Sequence, residues 1–242
     1  MKPLDTILFD LDGTLLAMSQ ETFTGVYFAL LSKRVASMGH DPDSFIKALW
    51  KGTMAMIKND GKMTNRDRFW EVFAGLVDAN TPELEKNLED FYATDFNLVK
   101  SALGERPSIR PLLSGLRAKG YGVTLATNPV FPYVAAVSRL GWIGLETADF
   151  DYITTYENSS YCKPGLDYYR DILTRLGKEP SQCLMIGNNP DDDMSPSEMG
   201  MSVFLLTDYL ENSRDLPYDA YPQGGFKEMA EMLEGLPPVR IS

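Results

Sequence analysis

The stretch Ile7-Leu8-Phe9-Asp10-Leu11-Asp12-Gly13-Thr14-Leu15 decides how the rest of the chain is read. An apolar run ends in two carboxylates at i and i+2, which in extended backbone point to the same side. Like charges so placed repel, and a bound cation is the natural means of keeping both near one site. A simpler reading competes with this one, because Asp12-Gly13 between apolar runs is also a strong β-hairpin signal. An EF-hand is excluded by spacing: its glycine occupies the sixth loop position, whereas Gly13 is fourth from Asp10.

Outward from this stretch, short β-rich apolar runs alternate with helical patterns, the signature of a doubly wound, mainly parallel α/β fold. The pattern predicts strands over 7–10, 123–126, 152–154, 183–186 and 203–206. Three of them run into polar residues: Asp10-Leu11-Asp12, Thr127-Asn128 and Gly187-Asn188-Asn189. In open α/β sheets ligands bind at that carboxyl edge. Helical patterns over 109–119, 133–140 and 166–176 stop at Gly120, Gly141 and Gly177, and a last one covers 226–233. Between 16 and 103 the sequence holds only helical patterns, at 22–37, 44–58, 66–77 and 82–96. The last begins with capping-box spacing between Asn80 and Glu83, with Pro82 in the first turn. The expected organisation is an α/β core of residues 1–15 and 104–242 with an all-α cap subdomain, 16–103, inserted after the first strand.

Composition removes other classes. The 242 residues are 44% hydrophobic and 24% charged, which fits a globular protein and excludes a disordered or fibrous one. The net charge of −11 disfavours nucleic-acid partners, so an anionic substrate must be attracted locally. No run is long and apolar enough for a membrane helix. Asp5, Asp10 and Asp12 interrupt the apolar start, so the cytoplasm is the expected location. Cys162 and Cys183 are too few for a disulfide framework and, with the lone His40, too scattered for zinc; His40 reads as a loop residue.

The Asp10-Leu11-Asp12-Gly13-Thr14 motif resembles the first motif of the haloacid dehalogenase (HAD) superfamily, mostly magnesium-dependent phosphohydrolases with a Rossmann-like core. Val123-Thr124-Leu125-Ala126-Thr127-Asn128 looks like the second motif, Cys162-Lys163-Pro164 the third, and Met185-Ile186-Gly187-Asn188-Asn189-Pro190-Asp191-Asp192-Asp193 the fourth. They occur in the family's order, from Asp10 to Asp193.

The resemblance implies that Asp10 is the nucleophile that forms an aspartyl-phosphate, and that Asp12 is the general acid and then the base. It implies that Thr127, the Asn128 backbone N–H and Lys163 bind the phosphoryl oxygens, with Thr14 in the same substrate-binding loop. Mg²⁺ would be held by Asp10, the backbone carbonyl of Asp12, Asn188 and Asp193, with Asp192 a nearby substitute. Most relatives carry Asp where this chain has Asn188, and an amide oxygen brings no charge to the metal. Asp12 argues for an oxygen leaving group rather than a halide. The helical insertion resembles the family's cap, in which Lys51, Lys58, Lys62, Arg66 and Arg68 could meet a second anionic group or form a solvated face. Aromatics such as Phe23, Tyr27, Trp50 and Phe69 read mainly as cap core. The implied partner is a small phosphorylated metabolite. A phosphate-binding protein without turnover and a sugar-phosphate mutase are alternatives, and the choice between monomer and homodimer is open.

Overall fold

The computed structural model describes residues 3–77 and 81–239. The Asn80 capping position lies outside the described residues. Strand β1 (Thr6–Phe9), fully enclosed, pairs in parallel with β2 (Gly122–Leu125) on one side and β4 (Cys183–Gly187) on the other. That pairing disposes of the hairpin, because no antiparallel strand returns after Asp12-Gly13. Instead Leu16 N–H donates to Leu11 O at 2.8 Å and Gly13 N–H to Leu16 O at 3.0 Å, closing a tight loop. Adding β3 (Tyr152–Ile153), β5 (Ser202–Leu206) and β6 (Gln223–Gly224) gives a sheet, parallel throughout, of order β3-β2-β1-β4-β5-β6. The carboxyl ends of β1, β2 and β4 therefore lie side by side at the point where the strand order reverses.

Between Met18 and Leu103 the described residues form helices and loops and no strand. They comprise α1 (Gln20–Ser37), α2 (Pro42–Ile57), α3 (Asn65–Phe73), α4 (Thr81–Ala93) and a 3₁₀ helix, Asp95–Ala102. Ser19, Asp41 and Thr64 cap the first three, each side chain accepting a backbone N–H of the first turn. The pattern over 82–96 predicts one helix, whereas α4 ends at Ala93 and the chain tightens into 3₁₀ turns. In the remainder, α5 (Arg110–Ala118), α6 (Tyr133–Trp142), α7 (Leu166–Leu176) and α8 (Phe226–Glu234) alternate with the strands. Gly177 ends α7 in the left-handed region. Gly141 does not end α6: the helix continues through it, and Gly144 supplies the left-handed residue. Strand β6 escaped the sequence reading because two residues, one of them glycine, carry no alternation.

One apolar core runs through both parts of the molecule. Phe23 and Tyr27 of α1, Tyr92 of α4 and Phe96 of the 3₁₀ helix pack on Phe131, which follows β2. The Tyr27 and Tyr92 hydroxyls meet at 2.9 Å in this apolar setting, which satisfies two groups that would otherwise be costly to bury. Where the helical segment leaves and rejoins the sheet, Gly104 N–H donates to Ala17 O at 2.7 Å.

A second tie is polar. Asn65, fully buried at the start of α3, donates its backbone N–H to Ser159 O at 2.7 Å and its amide to Pro129 O at 3.1 Å and Tyr161 O at 3.3 Å. Its Oδ1 accepts from Asn59 at 2.9 Å. These bonds pin α3 to the loops after β2 and β3. Asn65→Ala should strand several buried partners and lower stability by about 2–4 kcal/mol. Chemical denaturation that shows no loss would contradict this role.

Candidate active site

The edge formed by β1, β2 and β4 gathers polar side chains from widely separated stretches. Lys163, in the loop before α7, is 2% exposed and sends Nζ to Asp10 Oδ1 at 2.8 Å and to Asp193 Oδ1 at 2.6 Å. Asp193 Oδ2 in turn accepts the Asn189 N–H at 2.9 Å. Burial alone would lower the lysine's pKa, but Asp10 and Asp193 hold it well above its ordinary value, so it stays a cation. Gly187 permits this packing, because a Cβ there would lie 2.1 Å from Asp193 Cγ.

Asp12 is held separately. Its Oδ2 receives Arg139 Nη1 at 2.5 Å, while Oδ1 is buried without a hydrogen-bond partner. Arg139 comes from α6, is 1% exposed, donates Nε–H to Ala135 O and lies over the Phe131 ring at 4.6 Å. Burial pushes Asp12 above the usual carboxylate range, with Arg139 opposing and Asp10 reinforcing the shift. The sequence reading did not single out Arg139. Its signal was an arginine inside the otherwise apolar helical stretch Tyr133–Trp142, a position where a charge must find a buried partner.

Thr127 lies at the end of β2, its carbonyl accepting from Thr154 Oγ1 at 2.7 Å and Tyr168 OH at 2.9 Å. Its own hydroxyl borders the cavity described below. Asn128 donates its amide to Asp192 Oδ2 at 3.4 Å, and its Oδ1 is buried without a partner. Burial also raises Asp192, opposed by Lys163. Asn188 is committed on both sides: Oδ1 accepts from Thr14 Oγ1 at 3.2 Å and Nδ2 donates to Tyr209 O at 2.6 Å. Thr14 is fully enclosed, so its hydroxyl faces this loop rather than the cavity expected for a substrate-binding residue. Gly13, at φ +82°, passes so close to Asn188 that a Cβ would lie 2.2 Å from Nδ2.

A cavity of about 450 Å³ opens over this edge, with Asp10, Asp12, Thr127, Asn128, Asn188 and Asp192 at its floor. The helical segment walls it with aromatic rings. Those rings are therefore both core and lining. The basic residues Lys51, Lys58, Lys62, Arg66 and Arg68 do not line it: Lys62 pairs with Asp60, Arg66 with Glu85 and Arg68 with Glu71, while Lys51 and Lys58 are exposed.

The donor set suits a hard divalent cation. Among the described residues no three His, Cys, Asp or Glu side chains form a ready metal cage. Mg²⁺ does not require one, since it keeps several waters and uses one or two carboxylates plus substrate oxygens. Asp10, Asn188 and Asp192 line one end of the cavity; the carboxylates of Asp10 and Asp192 carry free acceptor capacity, whereas Asn188 Oδ1 already accepts from Thr14 and has one lone pair left. Among the described residues the cations paired with the cluster of carboxyl groups at 10, 12, 192 and 193 are Lys163 and Arg139, and two buried oxygens, Asp12 Oδ1 and Asn128 Oδ1, lack a protein partner. A cation with its waters would complete such a set.

A family model described as haloacid dehalogenase-like hydrolase matches residues 4–199. The chain belongs to the haloacid dehalogenase-like hydrolase family. Among its relatives in this family, it is 25% identical over 233 residues to pyrophosphatase PpaX of Bacillus velezensis, covering 96% of each chain. It is also 25% identical over 232 residues to glyceraldehyde 3-phosphate phosphatase of Methanocaldococcus jannaschii, covering 95% of this chain and 97% of the relative. Its fold resembles that of a HAD phosphatase from Thermococcus onnurineus (21% identity, 97% and 99% coverage, TM-score 0.57). A 2-haloacid dehalogenase from Pseudomonas syringae is as similar in fold (18% identity, 95% and 98% coverage, TM-score 0.59). The family fold therefore does not choose between leaving groups; side chains must.

Arg139→Met would leave the Asp12 carboxyl, half-buried at the cavity floor, without its guanidinium partner, at a cost of about 1–3 kcal/mol. For a chain of this size the melting temperature should fall by roughly 5 °C, and an unchanged melting curve would contradict the pairing.

Proposed function

We propose that the chain is a Mg²⁺-dependent phosphohydrolase of a small phosphorylated metabolite, working through an aspartyl-phosphate on Asp10. The observation that carries this reading is the separate holding of the two carboxylates at one cavity end: Asp10 by Lys163, Asp12 by Arg139. Two acids two residues apart are thereby given different environments, the condition for different roles. The family relatives named for phosphate esters and pyrophosphate support the same reaction class.

In the first step an Asp10 carboxylate oxygen attacks phosphorus, the ester P–O bond breaks, and Asp12 gives its proton to the departing alcohol. In the second, Asp12 takes a proton from water, the water oxygen attacks phosphorus, and the Asp10–phosphorus bond breaks to release phosphate. Thr127 and Lys163 provide a hydroxyl donor and a fixed positive charge for the phosphoryl oxygens, and the Asn128 N–H provides another donor. Asp12 fits an oxygen leaving group, since a halide departs without a proton.

Mg²⁺ would be held by Asp10, the Asp12 backbone carbonyl, Asn188 and the acidic loop. There Asp192 is the freer carboxylate, because both oxygens of Asp193 are taken by Lys163 and the Asn189 N–H. When bound, the ion would offset the negative charge of the phosphoryl group and of Asp10. Residues 16–103 act in this reading as the cap over a core of 1–15 and 104–242, keeping bulk water from the intermediate.

Phosphate release from simple esters should require Mg²⁺, stop on chelation, and fall at least about a thousandfold in Asp10→Asn. Full turnover by that variant would refute the mechanism. Asn188→Asp replaces the amide donor facing Tyr209 O with a carboxylate. Despite restoring the residue most relatives carry, it should cost about 1–3 kcal/mol of stability, read by denaturant titration. A more stable Asn188→Asp protein would show that the Asn188 contacts are not structural.

A further inference from the structure

The cavity extends well past the groups that would handle a phosphoryl unit. At about 30 Å³ per water in the liquid, its volume of about 450 Å³ equals roughly fifteen waters. Such a space falls in the range of sites that enclose a ligand of substantial size. Its far wall is aromatic and aliphatic: Phe23 and Phe28 from α1, Trp50 and Ile57 from α2, and Phe69 and Trp70 from α3. Trp50 is 48% exposed and Ile57 39% exposed, although both belong to a wall rather than to the outer surface alone. Phe28 and Trp50 lie with ring centroids 5.6 Å apart. Large apolar side chains left open to a cavity gain free energy when a ligand's own apolar surface covers them.

Charge points the same way. Among the described residues neither lysine nor arginine lines the cavity. Lys163 and Arg139 lie behind the floor, each committed to carboxylates. The charged side chains on the upper wall and rim are acidic: Glu85, neutralised by Arg66, and Glu89 and Glu211. A substrate with a second anionic group, such as a carboxylate or another phosphate, would bring that charge into a low-dielectric space with no cation to meet it. An uncharged ring or hydrocarbon would instead displace water from apolar walls.

We infer that the substrate is a phosphate monoester whose leaving alcohol bears an uncharged aromatic or extended apolar group, held between α1, α2 and α3. The inference rests on the phosphatase reading for its chemistry but draws on a different part of the cavity. It separates this chain from a relative that acts on pyrophosphate, whose second phosphate would find no partner here.

The test compares alcohols of similar acidity, so that leaving-group chemistry does not decide the outcome. With Mg²⁺ present, kcat/KM is measured for 2-phenylethyl phosphate, ethyl phosphate and 2-carboxyethyl phosphate. In parallel, titration calorimetry measures the binding of 3-phenylpropylphosphonate and 3-carboxypropylphosphonate, which cannot be hydrolysed. The expected result is at least a tenfold preference for the phenyl compound over each other substrate, and at least tenfold tighter binding of the phenyl phosphonate. Thr53→Arg, which places a guanidinium on the α2 wall, should narrow the phenyl-over-carboxylate ratio at least fivefold. Equal or better use of 2-carboxyethyl phosphate, or equal binding of the carboxylate phosphonate, would overturn the inference. If no ester is hydrolysed while the phenyl phosphonate still binds tighter, the phosphatase reading fails and the assignment of the cavity stands.

Discussion

The site depends on one buried ammonium group. Lys163 Nζ stands between Asp10 and Asp193, 2.8 Å from one carboxylate and 2.6 Å from the other, with almost none of its side chain exposed. A lysine stripped of water this completely keeps its charge only if anions surround it, and two carboxylates brought this close repel one another unless a cation lies between them. Each group thus makes the others tolerable. Because the three residues come from the end of β1, the loop before α7 and the loop after β4, the same interaction closes the carboxyl edge of the sheet and sets the position of Asp10.

Around this centre the protein keeps its two floor carboxylates electrically distinct. Asp10 shares a lysine with Asp193, whereas Asp12 turns to a guanidinium supplied by a different element, α6. Arg139 is held there by the Phe131 ring and by its own helix, so the direction in which Asp12 points is set by packing more than by the loop that carries it. Phe131 also belongs to the aromatic cluster that joins the helical segment to the sheet. Packing of that segment and orientation of the second carboxylate therefore meet in one ring.

Much of this was legible in the sequence because the sheet's physics is local. Buried parallel strands read as short apolar runs, and polar residues that abruptly end such runs mark the functional edge; Asp10, Thr127 and Asn188 were all found in this way. What escaped had no local signal. β6 is too short to alternate, and α6 runs through Gly141 because a glycine within a packed helix is not obliged to stop it. Arg139 is visible only once a partner from elsewhere in the chain is known. The commitment of Asn188 to Thr14 and Tyr209, and the inward turn of Thr14, follow from a loop packing against Gly13 that spacing alone does not reveal. The basic residues at 51, 58, 62, 66 and 68 carried an ambiguous signal, which the pairing of Lys62, Arg66 and Arg68 with nearby acids and the exposure of Lys51 and Lys58 resolve.

The most direct test of the account is to quench the enzyme with acid during turnover of a phosphate ester and to locate any covalently bound phosphate by peptide mass spectrometry. A phosphoryl group on the peptide carrying Asp10, lost when Asp10 is replaced by Asn, is the predicted result. Phosphate on another residue, or turnover at full rate without any phosphorylated peptide, would contradict it.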